Sequence, residues 1–400
     1  MVQKGVVVLL LALLAYFLPT FLNISKKFLK NNSEHIFSEV ARISYSDLLN
    51  SNPDIDPTLL HSMKQYGFFY VVDIPSYNAS LELDYLQRFF DLPDHYKLPL
   101  AVRKHNPHNV NVYRGYGPVV GNVGTQYKEV FNIGPHETHP PYNDSHSDLQ
   151  KLRSISRERN VWPNTDNPQF DRDFKSVMKS GFDLRLSIAR AIVESISRAL
   201  DFPGLPALFT EHEFSTLGLR KYPVRKRINS DMYSEFDGVL LKELEHVDST
   251  VTVLSTFNNT GLQMLYKDKY WEAPVSGDNC FIINIGKLIE DITGNQIISV
   301  RHRVIEIPET RYSIPFFYNP SFDSDISRSM TGQVTEAGQK YRIFGEWMKD
   351  YLPAVEPGLL QQPTPSVSSE ITHHPDNTEQ YSTDQLDDTG PLTLARLALD

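Results

Sequence analysis

The chain has 400 residues, 40% hydrophobic and 22% charged, with a formal net charge of −10. That is the composition of a globular protein able to bury a large core, and it has no basic surplus of the kind that would point to a nucleic-acid partner. Cys280 is the one cysteine, so no intrachain disulfide can form and a reducing compartment fits better than an oxidising one.

Lys4 is followed by an apolar run from Gly5 to Ile24 and then by Lys26, Lys27 and Lys30. About twenty such residues, each rising about 1.5 Å in a helix, would cross a hydrocarbon core of roughly 30 Å. No A-x-A-like cleavage site follows, so residues 1–30 read as a single-pass membrane anchor with a basic flank. The lysines beyond the run place the remainder of the chain on the cytosolic side. Sequons at Asn23, Asn31, Asn78, Asn143 and Asn258 would suit a lumenal location, but a chain this rich in Asn, Ser and Thr produces some by chance.

Downstream, Asp56 as N-cap and Pro57 at the first helical position open a helix. Its stripe of Leu59, Leu60, Met63 and Tyr66 ends at Gly67. Phe68 to Val72 reads as a buried strand, and Leu81 to Phe90 as a second amphipathic helix stopped by Pro93. Apolar residues from Phe170 to Leu200 recur at helical spacing and predict one long helix ended by Pro203-Gly204. After Phe214 the period changes to two. Short β-rich runs at Thr250–Leu254, Cys280–Ile285, Ile297–Ile305 and Arg311–Tyr318 alternate with turn signals, as in a sandwich or barrel. A last helix is expected over about Thr335–Tyr351. Beyond it lies a Pro/Ser/Thr/Asp-rich tail over 355–400, holding eight acids against one base, Arg396, and read as disordered.

Three H-x-D pairs occur: His146/Asp148, His246/Asp248 and His374/Asp376. The first lies in a polar loop, and the third in the tail with Pro375 between its members. Only His246-Val247-Asp248 leads into an alternating run, Ser249 to Leu254, where residues i and i+2 share a face and can converge on a metal. His302 shares a face with Val300 and Val304. On its own it reads as a core histidine, but beside the pair it completes two imidazoles and a carboxylate, a set suited to iron(II) with open positions. Arg311 and Ser313 form another i, i+2 pair. An inward arginine needs either a structural ion pair or a bound anion, and its fork matches a carboxylate.

These residues, with Gly261-Leu262-Gln263, Trp271, Asn284-Ile285-Gly286 and His302-Arg303-Val304, resemble the isopenicillin N synthase-like family of iron(II)/2-oxoglutarate dioxygenases. Upstream, Gly67-Phe68-Phe69, Phe89-Phe90-x-Leu92-Pro93, Arg114-Gly115-Tyr116, Lys128-Glu129, Asn160-Val161-Trp162-Pro163 and Tyr222-Pro223 are also similar. The resemblance covers about 40–350. It implies a mainly β, α+β fold, a double-stranded β-helix (jelly roll), with an N-terminal dioxygenase region over 40–165 and a long helix plus oxygenase core over 166–350. It further implies that His246, Asp248 and His302 bind iron, that Arg311, Ser313 and Tyr222 bind 2-oxoglutarate, and that Arg114 and Tyr116 are substrate candidates. The implied reaction oxidises a small organic molecule, by default through hydroxylation, with O2 consumed and succinate and CO2 released. Arg220 departs from the Asn that many members carry two residues before the tyrosine. Lys287 stands where Asp is usual after Asn-Ile-Gly, and Thr293-Gly294-Asn295 replaces the order Thr-Asn-Gly. Two other readings stay open at this level: an iron oxidase of the same fold that does not use 2-oxoglutarate, and a catalytically silent, membrane-tethered binding protein.

Overall fold

The computed structural model describes residues 36–75, 77–119, 127–138, 147–225, 239–274 and 277–355. The anchor over 1–30, the tail beyond 355, His146 and the His374/Asp376 pair lie outside them. Among the described residues no helix is long and apolar enough to cross a membrane.

The N-terminal region runs β1 (Arg42–Ser44), α1 (Tyr45–Leu49), α2 (Asp56–Gln65), β2 (Phe68–Val72), α3 (Ala79–Phe90), α4 (Asp94–Lys97), β3 (Gly115–Gly117), β4 (Glu129–Ile133) and α5 (Asp148–Ser156). The long helix α6 (Pro168–Ala199) follows, then β5 (Thr216–Tyr222), β6 (Leu241–His246), β7 (Val251–Ser255), β8 (Leu262–Tyr266), β9 (Lys269–Glu272) and β10 (Cys280–Ile285). The chain continues through α7 (Lys287–Ile292), β11 (His302–Ile305), β12 (Arg311–Tyr318) and α8 (Phe344–Val355).

Local chemistry accounts for several boundaries. The Asn78 and Asn167 side chains accept the N–H groups of Leu81 and Phe170 and so cap α3 and α6. Asp56 is not the cap expected of it. It is the first residue of α2, and its carboxylate takes two hydrogen bonds from Arg198 of α6. Gly67 ends that helix at φ +71°, which a side chain would resist.

Eight strands form one sheet in the order β1-β2-β10-β7-β12-β5-β4-β3, and four form a second in the order β6-β11-β8-β9. This is the jelly roll expected, α+β with a mainly β core. All pairings are antiparallel except β1 with β2. The N-terminal region supplies both ends of the large sheet, so it shares a ladder with the later strands. Helix α6 backs that sheet: Phe182 meets Phe316 of β12 edge to face at 5.0 Å. Its Arg185, fully buried, makes a two-bond pair with Glu82 of α3 at 2.7 Å and also reaches Ser255 of β7.

Two expected elements differ. The strand over Ile297–Ile305 is only His302–Ile305, because Ile298 and Val300 give their N–H groups to Met63 and Ile285 instead of a small-sheet partner. The final helix begins at Phe344. Residues from Thr335 to Ile343 form a short 3-10 helix (Ala337–Gln339), turns and short bridges, held by the Thr335 side chain and by the Ile326 N–H on the Arg342 carbonyl.

Candidate metal centre

His246 closes β6 and His302 opens β11, and the two are direct register partners in the small sheet. Their ring centroids lie 4.3 Å apart. Each imidazole has a backbone carbonyl at Nδ1: Leu244 at 2.7 Å from His246 and Val300 at 3.1 Å from His302. A carbonyl only accepts, so Nδ1 carries the proton and the Nε2 lone pair is left for a metal. Both Nε2 atoms turn to Asp248 Oδ1, at 3.8 and 3.7 Å, and one ligand atom from each of the three residues lies within 4.8 Å of the others. Burial depresses the pKa of His302, which favours its neutral form, the ligating one. The second carboxylate oxygen, Asp248 Oδ2, is sealed from solvent without a hydrogen-bond partner. A buried carboxylate in that condition is costly unless a cation neutralises it. Two imidazoles and one carboxylate on one side of a cavity suit a divalent iron with open positions.

The i, i+2 reasoning named residues that do meet, but through a different geometry. Asp248 is not on a strand with His246. It lies in the turn by which the chain leaves the small sheet for the large one, and this turn swings its carboxylate toward both imidazoles. The start of α7 clasps the turn: the Lys287 and Leu288 N–H groups donate to the Asp248 and Ser249 carbonyls, each at 2.9 Å. Gly286 makes the clasp possible, since a Cβ there would lie 2.4 Å from the Asp248 carbonyl oxygen. From the other side, the Tyr351 hydroxyl of α8 donates to the Val247 carbonyl at 3.2 Å.

The triad lines a cavity of about 140 Å³, and Arg311, Ser313 and Tyr222 line it as well. Arg311 is 1% exposed. Its Nε donates to the Thr260 carbonyl at 3.1 Å and its Nη1 to Ser313 Oγ at 2.9 Å, while the guanidinium sits 5.1 Å from the Tyr222 ring centre. Among the described residues no carboxylate pairs with it, so the structural ion pair that would explain a buried arginine is missing. Burial lowers the Arg311 pKa, and burial together with Glu243 raises that of Tyr222. The register Arg311↔Tyr222 and Ser313↔Arg220 puts these four residues in a two-by-two block on β12 and β5.

Arg114 and Tyr116 stand elsewhere. The Arg114 guanidinium, fully buried, is held by Thr216 and the Glu213 and Ser215 carbonyls. Tyr116 gives its hydroxyl to Glu129 at 2.7 Å. Neither lines the cavity; their neighbour Tyr113 does. Sequence reasoning missed Glu243, whose strand showed no clear alternation. It also missed Lys128, whose Nζ lies 2.6 Å from both Glu243 oxygens, and the wall formed by Met348, Tyr351 and Leu352 of α8.

Two family models match the chain. Residues 228–320 match the 2OG-Fe(II) oxygenase superfamily, and residues 42–165 match the non-haem dioxygenase in morphine synthesis N-terminal family. The 228–320 match places the jelly-roll core with the 2OG-Fe(II) oxygenase superfamily. Isopenicillin N synthase of Lysobacter lactamgenus is 28% identical over 300 residues, covering 72% of this chain and 86% of that protein. The 2-oxoglutarate-dependent dioxygenase frbJ of a Dothideomycetidae species is 25% identical over 356 residues, covering 83% and 89%. A full-length Neurospora crassa protein, solved in complex with alpha-KG and thymine, shares the fold at a TM-score of 0.60 and 21% identity, over 79% of this chain and 96% of that one. This oxygenase is therefore an oxidoreductase of the iron(II)- and 2-oxoglutarate-dependent class, with O2 as the oxidant. The donor set fits the iron: two imidazoles and a carboxylate whose second oxygen is buried without a partner.

Proposed function

We propose that His246, Asp248 and His302 hold the iron of this oxygenase and that it hydroxylates a small organic substrate in the adjoining cavity. The observation that carries the reading is the meeting of three ligand atoms within 4.8 Å, from two paired strands and the turn after β6, with both Nδ1 atoms committed to carbonyls. Bound iron(II) with 2-oxoglutarate and O2 supplies the oxidant that attacks a C–H bond, leaving succinate and CO2. This chain's own residues bind, orient and exclude water. Arg311 takes the distal carboxylate of 2-oxoglutarate on its fork, Ser313 adds a hydroxyl, and the Tyr222 ring and hydroxyl close the same end. Leu254, Leu262, Val304 and Phe317 keep the interior apolar. The test is succinate release from 2-oxoglutarate across a small-molecule library, with purified protein and iron(II). Release that depends on one library member and vanishes in His302→Ala supports the reading, whereas equal release by both proteins removes it.

We further propose that residues 1–30 anchor the enzyme in a membrane with the folded part facing the cytosol. The support is the Gly5–Ile24 apolar run and its lysine flank. Protease added to sealed microsomes should digest the folded part. Protection, with glycan addition at Asn78 or Asn258, would reverse the topology. The folded unit is divided as 40–165 and 166–350, with the tail over 355–400 outside it.

A further inference from the structure

Arg220 projects into the same cavity from β5 and is 5% exposed. Its Nη1 donates to Asn132 Oδ1 at 2.8 Å and to the Leu219 carbonyl at 3.2 Å, both neutral acceptors. Among the described residues nothing accepts from its Nε or Nη2, the two donors along one edge of the guanidinium. Glu243 is the nearby anion, but Lys128 holds both of its oxygens at 2.6 Å. Gly218 leaves room for this side chain, since a Cβ there would come within 2.7 Å of Arg220 Nη2.

The charges of the site leave this arginine over. The iron and Asp248, the Lys128–Glu243 pair, Arg311 and the two carboxylates of 2-oxoglutarate compensate one another in full. A nearly buried guanidinium with a free two-donor edge facing a cavity is a ready site for an anion, and that edge matches a carboxylate better than a lone acceptor. Arg311 already meets the distal carboxylate, with Ser313 between the two arginines on the same sheet face.

We propose that Arg220 is the substrate anchor of this oxygenase and that its primary substrate is a small carboxylic acid, held by its carboxylate on the Nε/Nη2 edge. This rests on the iron and 2-oxoglutarate reading above. It turns the Asn-to-Arg departure at this position into a specificity determinant.

The test uses the full-length protein loaded anaerobically with iron(II) and 2-oxoglutarate, so the charge-transfer absorption of that complex is recorded first. Failure to form it counts against the cofactor reading and is thereby separated from the present one. A panel of small aliphatic and aromatic monocarboxylates, each paired with its primary amide, is then titrated by calorimetry. The expected result is that at least one acid binds about tenfold or more tighter than its amide. Arg220→Gln should remove that preference, Arg220→Lys should keep part of it, and 2-oxoglutarate affinity should stay within about threefold of wild type in both. Three results overturn the proposal: no acid outbinding its amide, a preference that survives Arg220→Gln, or a loss of 2-oxoglutarate affinity in Arg220→Gln as large as in Arg311→Ala. The last would assign Arg220 to the co-substrate.

Discussion

His246 and His302 face each other across the β6–β11 ladder, each fixed through Nδ1 by a carbonyl two residues upstream in its own chain segment. The ring orientation is therefore set by backbone, and the metal-free protein already has its ligands arranged. His246→Ala, Asp248→Ala and His302→Ala should each abolish stoichiometric iron binding, measured by metal analysis after gel filtration, with the far-UV circular dichroism unchanged. A variant that keeps full iron occupancy would remove that residue from the ligand set.

Asp248→Ala carries a second expectation. Asp248 is 3% exposed and one of its oxygens has no partner, so without metal its carboxylate costs stability. The metal-free variant should melt no lower than the metal-free wild type, and added iron(II) should raise the midpoint only of the wild type. A large drop in the metal-free midpoint would mean that the aspartate is structural.

Gly286→Ala should loosen the site without touching a ligand. The added methyl would lie 2.4 to 2.6 Å from backbone atoms of Asp248, Ser249 and Thr250, none of which can yield as a flexible side chain would. Overpacking of this kind costs about 1–3 kcal/mol, and the strain falls on the turn that aims Asp248. Both the denaturation midpoint and iron affinity should fall. Unchanged iron affinity would show that the clasp of α7 is dispensable.

Glu137 sets an acid limit on stability. Burial alone would raise its pKa, but hydrogen bonds from Lys175, Asn160 and Trp162 and the charge of Lys179 hold it down at about 2, against 4.5 for a free glutamate. A depressed carboxyl stabilises the fold above the unfolded pKa and loses that contribution as pH falls through the folded one. The loss should therefore run between about pH 4.5 and 2. Glu137→Gln should be less stable than wild type at pH 7, and the difference should shrink by pH 3 in urea denaturation. A gap of constant size across that range would contradict the assignment.

The fold was legible wherever side-chain periodicity reports burial on one face. Residues Cys280–Ile285 and Arg311–Tyr318 are strands with the boundaries expected, and the long helix differs by one or two residues at each end. Where tertiary contacts replace a pattern it was not legible. Strand β6 has no apolar alternation because its Glu243, Glu245 and His246 line the cavity, and the chain before β11 bonds to Met63 and Ile285. The His-Asp-His cluster was readable by residue type, but its true geometry, a turn joining two sheets, was not. Arg114 misled because an arginine in a motif carries no mark of whether it faces a ligand or the carbonyls of its own neighbours. Asn160 and Trp162 of Asn160-Val161-Trp162-Pro163 both donate to Glu137, which makes that motif structural.

The measurement closest to the central claim is anaerobic binding of 2-oxoglutarate to the iron(II) protein, followed by its charge-transfer absorption, in wild type and Arg311→Ala. Loss of a charge-assisted pair in a desolvated pocket costs on the order of 1.5–3 kcal/mol, so the variant should bind roughly 10- to 150-fold more weakly. It should still hold iron, and Arg311→Lys should fall between the two because it restores charge without the fork. A wild-type iron protein that develops no such absorption with 2-oxoglutarate, or an Arg311→Ala variant that binds it as tightly as wild type, would contradict the account.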